Sequence, residues 1–212
     1  AGAKVRASPP SADYPAMHAR SDSGAVAHSF SSAGVRRPAA LIFLHWATLI
    51  LIALVVGIAF VREGIEEKAV RAVLINLHRS LGLAIALLAV VRIGVRLAKR
   101  PLPSSAPMSP LARLAAEATH LGLYALLFAL PLIGWALSSA NGKPVGFFGL
   151  VTLPPLVDED EDLGDSFAEY HEAGAWLLIA LVGLHAAAAL FHHFVKRDNV
   201  LRAMLPAWLA RR

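Results

Sequence analysis

Apolar positions in this chain fall into four long runs separated by shorter polar links. The first, Ala39–Val61, holds no formally charged residue. The second covers roughly Ala72–Ala98 and carries Arg79, Arg92 and Arg96. The third covers about Leu111–Ala140, and Pro131 within it predicts a kink. The fourth runs from about Phe167 to Val195. A hydrocarbon layer about 30 Å thick is crossed by about 20 helical residues, so each run is long enough to span it. The pattern predicts an all-α protein, an integral membrane four-helix bundle.

The remaining segments read differently. Residues 1–37 are rich in Ala, Ser, Gly and Pro without apolar periodicity, which predicts a flexible N-terminal tail. No short apolar core follows its first basic residues, as a secretory signal would require. Residues 38–198 form the membrane domain. Within it, Asn141–Leu163 contains Gly142, Pro144, Gly146, Gly149, Pro154 and Pro155, and predicts a structured loop over one face of the bundle. Its Phe147, Phe148 and Leu150 suit either a cover for a cofactor edge or an interfacial anchor. Residues 199–212, with Trp208 among arginines, predict a short amphipathic tail on the cytoplasmic surface.

Composition narrows the class. Of 212 residues 57% are hydrophobic, and a mean hydropathy of +0.58 is too apolar for an ordinary soluble domain. The absence of cysteine excludes disulfides, cysteine-ligated iron–sulfur clusters and covalently attached c-type haem. The net charge of +5 comes from basic residues beside the apolar runs, not from a basic patch interleaved with aromatics, so no nucleic-acid partner is expected.

Those charges also orient the bundle. Arg36 and Arg37 precede the first span; Arg92, Arg96, Lys99, Arg100 and Arg113 mark the link between the second and third; Lys196, Arg197, Arg202, Arg211 and Arg212 follow the fourth. The other links are mixed in charge (Arg62–Arg71) or acidic without a base (Asp158–Glu169). The positive-inside rule places both termini in the cytoplasm.

Four histidines then acquire depths. His78 and His171 begin inward-running spans and lie near the outer surface; His45 begins an outward-running span. His185 lies about 17 Å above Lys196. The fourteen residues from His171 to His185 return to nearly the same helix face, displaced by roughly 21 Å. Ionisable groups within a membrane are costly and mark function, and paired neutral imidazoles clamp haem iron from opposite sides. The expected pairs are His78 with His171 and His45 with His185, holding two non-covalent b haems. Six-coordinate iron leaves no position for oxygen, so such a protein is suited to electron transfer.

Further residues qualify this picture. Depth alone leaves His192 open as a partner for His45, although its nearness to Lys196 favours an interfacial histidine. His120 suits a quinone pocket, a haem propionate, or a bond to a backbone carbonyl. Arg92 shares the face of His78 fourteen residues on and suits the inner propionates, or a quinone site with His120; Arg79 suits the outer propionates. Arg96 reads as snorkelling to headgroups. Gly82, Gly174 and Gly183 fit either a flat macrocycle or close helix contact. A histidine-lined metal-ion transporter is the rival class. It calls for intramembrane carboxylates, and the interiors of spans one, three and four carry none, with Glu117 near the start of the third and Glu169 and Glu172 near the start of the fourth.

Several short motifs are similar to those of the bacterial cytochrome b561 family of four-helix dihaem membrane proteins. They are His45-Trp46; Leu77-His78-Arg79-Ser80-Leu81-Gly82; Leu130-Pro131-Leu132-Ile133-Gly134-Trp135; Gly142-Lys143-Pro144-Val145 with Phe147-Phe148-Gly149-Leu150; His171-Glu172; and Gly183-Leu184-His185 through Leu190 with His192-His193. The resemblance covers about Pro38 to Pro206. It implies two b haems on His45, His78, His171 and His185, and so prefers His185 to His192. It also implies a bacterial inner-membrane location and a quinone-linked electron carrier, with superoxide oxidation and delivery to ubiquinone as an activity of the group. An anionic donor favours a positive outer surface; Asp158–Asp162 is acidic, while Arg79 and Lys143 supply local positive charge. A redox partner, or membership of a larger dehydrogenase or respiratory complex as its haem-bearing subunit, is the alternative arrangement.

Overall fold

The computed structural model describes Gly2, residues 37–98, residues 109–206 and Leu209. The 1–37 tail therefore lies almost wholly outside the described residues, as does Trp208. All described residues but Gly2 belong to one unit, Ala33–Arg212. Four helices dominate it: α1 (Ala39–Glu63), α2 (Lys68–Ala98), α3 (Pro110–Ala140) and α4 (Glu161–Phe191). Each is long and apolar enough to cross a membrane.

Local chemistry sets the boundaries. Ser109 caps α3 by accepting from the Ala112 N–H at 3.3 Å, with Pro110 in the first turn, where its missing N–H costs nothing. Helix α3 runs on through Pro131 as one element. Helix α4 starts at Glu161, earlier than the apolar pattern predicts. Asp160 accepts the Leu163 N–H at 3.0 Å, and Glu161 and Asp162 lie in the first turn, where negative charge opposes the helix dipole. Part of the acidic link is thus helix. At its other end α4 passes into a π-helical turn, His192–Lys196, which closes on Arg197 in the left-handed region (φ 52°).

The loop between α3 and α4 is an antiparallel hairpin of β1 (Val145–Phe147) and β2 (Val151–Leu153), with Val145 opposite Leu153 and Phe147 opposite Val151. After α4 a short 3-10 turn, Arg202–Met204, buries Ala203.

Helix α1 packs on α2, α2 on α3 and α3 on α4. Among the described residues α4 makes no comparably close approach to α1 or α2. A small core of Ile85, Ala89 and Leu127, flanked by Leu51, Ile52, Val55 and Phe128, closes the middle of the bundle. Apolar side chains such as Phe43, Leu54, Leu87, Val90 and Leu121 face outward, as a lipid solvent permits.

Candidate functional site

The stand-off of α4 leaves room for two layers of side chains. His78 is the eleventh residue of α2 and His171 the eleventh of α4. Their ring centroids lie 6.1 Å apart with planes crossed at 63°. His45 follows the first residue of α1 by six positions, and His185 precedes the last of α4 by six. Their centroids lie 6.0 Å apart at 68°. Along α4 the two layers are separated by about 21 Å, with the Ile85–Ala89–Leu127 core between them.

The spacing within each pair has a chemical meaning. An imidazole nitrogen binds a first-row metal at about 2.0 Å and stands about 1.1 Å from its ring centre, so collinear imidazoles on one metal have centroids roughly 6.3 Å apart. Both pairs match. In the inner pair Nδ1 of His45 is buried with no hydrogen-bond partner among the described residues, while His171 has the Leu130 backbone as a hydrogen-bond partner. In the outer pair Nδ1 of His78 is engaged by the Val55 carbonyl at 3.1 Å, leaving Nε2 free. Anchoring one ring nitrogen on a carbonyl is how metal-ligating histidines are oriented. Neutral nitrogen donors on two opposed sides suit haem iron.

A cavity of about 520 Å³ opens beside the outer pair, bordered by His78, Arg79, Gly82, Gly134 and His171. A side chain at Gly82 or Gly183 would meet nothing within 4 Å among the described residues. Gly174 differs: a Cβ there would approach Leu130 at 2.8 Å, so it serves α3–α4 contact. Gly134 sits against the outer pair, with 3.1 Å from its Cβ position to Cε1 of His171.

Cations accompany both layers. Arg92 lies within electrostatic reach of His45 and His185, with its guanidinium 5.6 Å from the Tyr124 ring centre. Arg79 and Arg62 border the outer cavity with Lys143, and Nη1 of Arg79 donates to Oδ1 of Asn76 at 3.4 Å. Arg96 is exposed. Sequence reasoning does not find Arg62 or Tyr124: the first reads as loop charge, the second as an ordinary aromatic in an apolar run.

The other histidines separate. His120 belongs to the inner layer, its ring 5.2 Å from that of His185. His192 has a different partner, Oδ2 of Asp198, 2.5 Å from its Nδ1. Among the described residues no group of three or more His, Cys, Asp or Glu side chains forms a candidate metal-ion cage.

Comparison with known proteins finds a family and several relatives. The profile of a family described as Prokaryotic cytochrome b561 matches residues 36–207. The chain is 36% identical over 130 residues to Cytochrome b561 homolog 2 of Escherichia coli K12, covering 61% of this chain and 69% of that protein. It is 34% identical over 164 residues to Probable superoxide oxidase CybB of Yersinia pestis, covering 77% and 92%. Cytochrome b561 homolog 1 of Escherichia coli K12 is 31% identical over 167 residues, covering 78% and 94%.

Proposed function

The chain belongs to the prokaryotic cytochrome b561 family, and from that premise we propose that it carries electrons from a donor outside the cytoplasm to the membrane quinone pool through two b haems. The chain is a multi-pass protein of the bacterial inner membrane, a b-type haem cytochrome that transfers electrons.

In the proposed arrangement His78 and His171 hold the outer iron, and His45 and His185 the inner one. The observation that carries this reading is the pair of centroid separations, 6.1 and 6.0 Å, at two depths of one bundle. Each haem supplies a reversible one-electron iron couple. The chain's own residues do the rest. The Val55 carbonyl fixes the tautomer of His78, so that its Nε2 is the lone-pair donor. Arg79 and Arg62 at the outer cavity offset carboxylate charge there, and Arg92 does so at the inner layer. His120 and Arg92 border the proposed quinone site, beside His185. Positive charge beside the spans puts both termini in the cytoplasm and the hairpin on the opposite side.

Superoxide, named in one relative, is the proposed donor. Two superoxide anions each lose one electron to give dioxygen, and one quinone takes both electrons with two protons to give quinol. Arg62, Arg79 and Lys143 line the outer cavity together with the carboxylates Glu63 and Glu172, so three cations face two anions there, apart from the acidic Asp158–Asp162 run.

A pyridine haemochrome assay of the purified protein tests the haem arrangement. Two haems per chain are expected, with one retained in His171→Ala and one in His185→Ala. Colourless protein, or His185→Ala with both haems intact, overturns it. Quinol formation from a superoxide-generating system and a ubiquinone analogue tests the donor; haem that stays oxidised under superoxide excludes it.

A further inference from the structure

Pro144–Val157 is a run of fourteen uncharged residues lying outside the four spans. It contains the β1–β2 hairpin, and the hairpin does not sit above the helix ends. Ser80 is twelve residues into α2, about 18 Å along the axis from Lys68. Its hydroxyl donates to the Gly146 carbonyl at 3.1 Å and accepts from the Phe148 N–H at 3.0 Å. The strand is thereby pinned beside the layer of His78 and His171, while α2 and α4 both continue about 15 Å beyond that layer.

Irregular backbone at such a depth is tolerated only if its polar groups are satisfied within the protein. Several of these groups find partners within the protein. The strands pair, and the Leu150 N–H donates to the Phe147 carbonyl at 3.0 Å. The Leu156 N–H donates to Oγ of Ser139 at 3.1 Å, and Nε1 of Trp135 donates to the Pro154 carbonyl at 3.0 Å. Ser80 serves the two groups nearest the tip.

The outward face has the opposite character. Phe148, Leu150 and Val151 are 48%, 79% and 57% exposed. Phe148 takes a left-handed φ of 50°, and Gly149 one of 72°. For an L-residue with a side chain that conformation costs about 1–2 kcal/mol. An aromatic is thus held on a strained turn and turned outward, where Asn or Gly is the usual residue.

We propose that this hairpin is a re-entrant anchor seated in the interfacial zone of the bilayer leaflet beside the outer histidine layer, with Phe148, Leu150 and Val151 in contact with lipid. The tip continues the lipid-facing apolar surface of the spans at the same depth. It offers no charge to a soluble protein, and the ends of α2 and α4 rise past it. The inference rests on the membrane fold alone and stands apart from the donor and acceptor assigned above.

Because the chain has no cysteine, Leu150→Cys in the haem-loaded protein takes one nitroxide spin label. In phosphatidylcholine/phosphatidylglycerol vesicles, power-saturation EPR compares collision of the label with dissolved oxygen and with a neutral nickel chelate. Leu87→Cys, on the exposed middle of α2, is the lipid reference, and Asp158→Cys, on the acidic segment, is the water reference. The oxygen-to-nickel ratio at position 150 is expected several-fold above that at 158 and close to that at 87. A ratio matching position 158 puts the tip in water and overturns the proposal. A label shielded from both reagents in native membranes but open to nickel in vesicles assigns the tip to a protein partner, and overturns it too. Val151→Cys gives the same readings where Leu150→Cys fails to assemble with haem.

Discussion

Nε1 of Trp46 donates to the Met204 carbonyl at 2.8 Å, tying the neighbour of His45 to the turn that follows α4. The bond closes the bundle between its first helix and the 3-10 turn after α4, at the inner histidine layer. Trp46→Phe keeps most of the ring and removes the donor. The expected loss is about 1 kcal/mol, read as a lower melting midpoint followed by haem absorbance in detergent. An unchanged midpoint would mean that this link contributes nothing.

Ser80→Ala strips the Gly146 carbonyl and the Phe148 N–H of their shared partner. A buried group left unpaired costs about 1–3 kcal/mol, and these part-buried groups cost less. Hydrogen exchange followed by mass spectrometry should show faster exchange across residues 145–150, while peptides from α1 and the middle of α4 keep their protection.

Gly134→Val places a branched side chain where even a Cβ would lie 3.1 Å from Cε1 of His171. The outer imidazole must move, and His185 is untouched. EPR of the oxidised protein should show one of two low-spin haem signals altered and the other retained. Two unchanged signals would remove Gly134 from the site.

Arg92 is a cation beside the inner pair. Positive charge favours the reduced form, which carries less positive charge itself. Arg92→Leu should therefore lower one haem midpoint potential by tens of millivolts, and Arg92→Lys by less. Redox titration monitored in the visible range separates these outcomes.

Asp198, outside the spans, has a carboxyl held below the usual carboxylate range. Slight burial pushes it up, but the hydrogen bonds from His192 and the Val200 N–H outweigh that. A carboxyl depressed in the folded state adds stability above its unfolded value of about 3.9. That stability disappears as pH falls through the lower folded value. Asp198→Asn should melt earlier than the parent near neutral pH, with the difference shrinking as pH falls below about 4. A pH-independent gap would assign the effect to packing.

Much of the architecture was legible in one dimension. Lipid imposes length and apolarity on each span separately, so all four helices could be read without knowing their neighbours. The boundaries moved where polar chemistry competes with apolar pattern, as at Asp160, whose capping carboxylate starts α4 inside an acidic stretch. The hairpin was less visible. Gly142, Pro144 and Gly149 signal turns, but its depth depends on Ser80, sixty-six positions from Gly146.

By itself the sequence determined the four spans, the shared face of His171 and His185, and the shared face of His78 and Arg92 along the second span. Those are properties of single helices, set by a fixed turn angle and rise. Tertiary structure alone decided which helices separate, that His120 meets His185, that His192 meets Asp198, and that Gly174 packs against Leu130 while Gly183 faces open space. Such contacts depend on how each helix is rotated and offset against the next. A small rotation exchanges one neighbour for another without changing the apolar pattern, so that choice is written in the packing of the whole bundle.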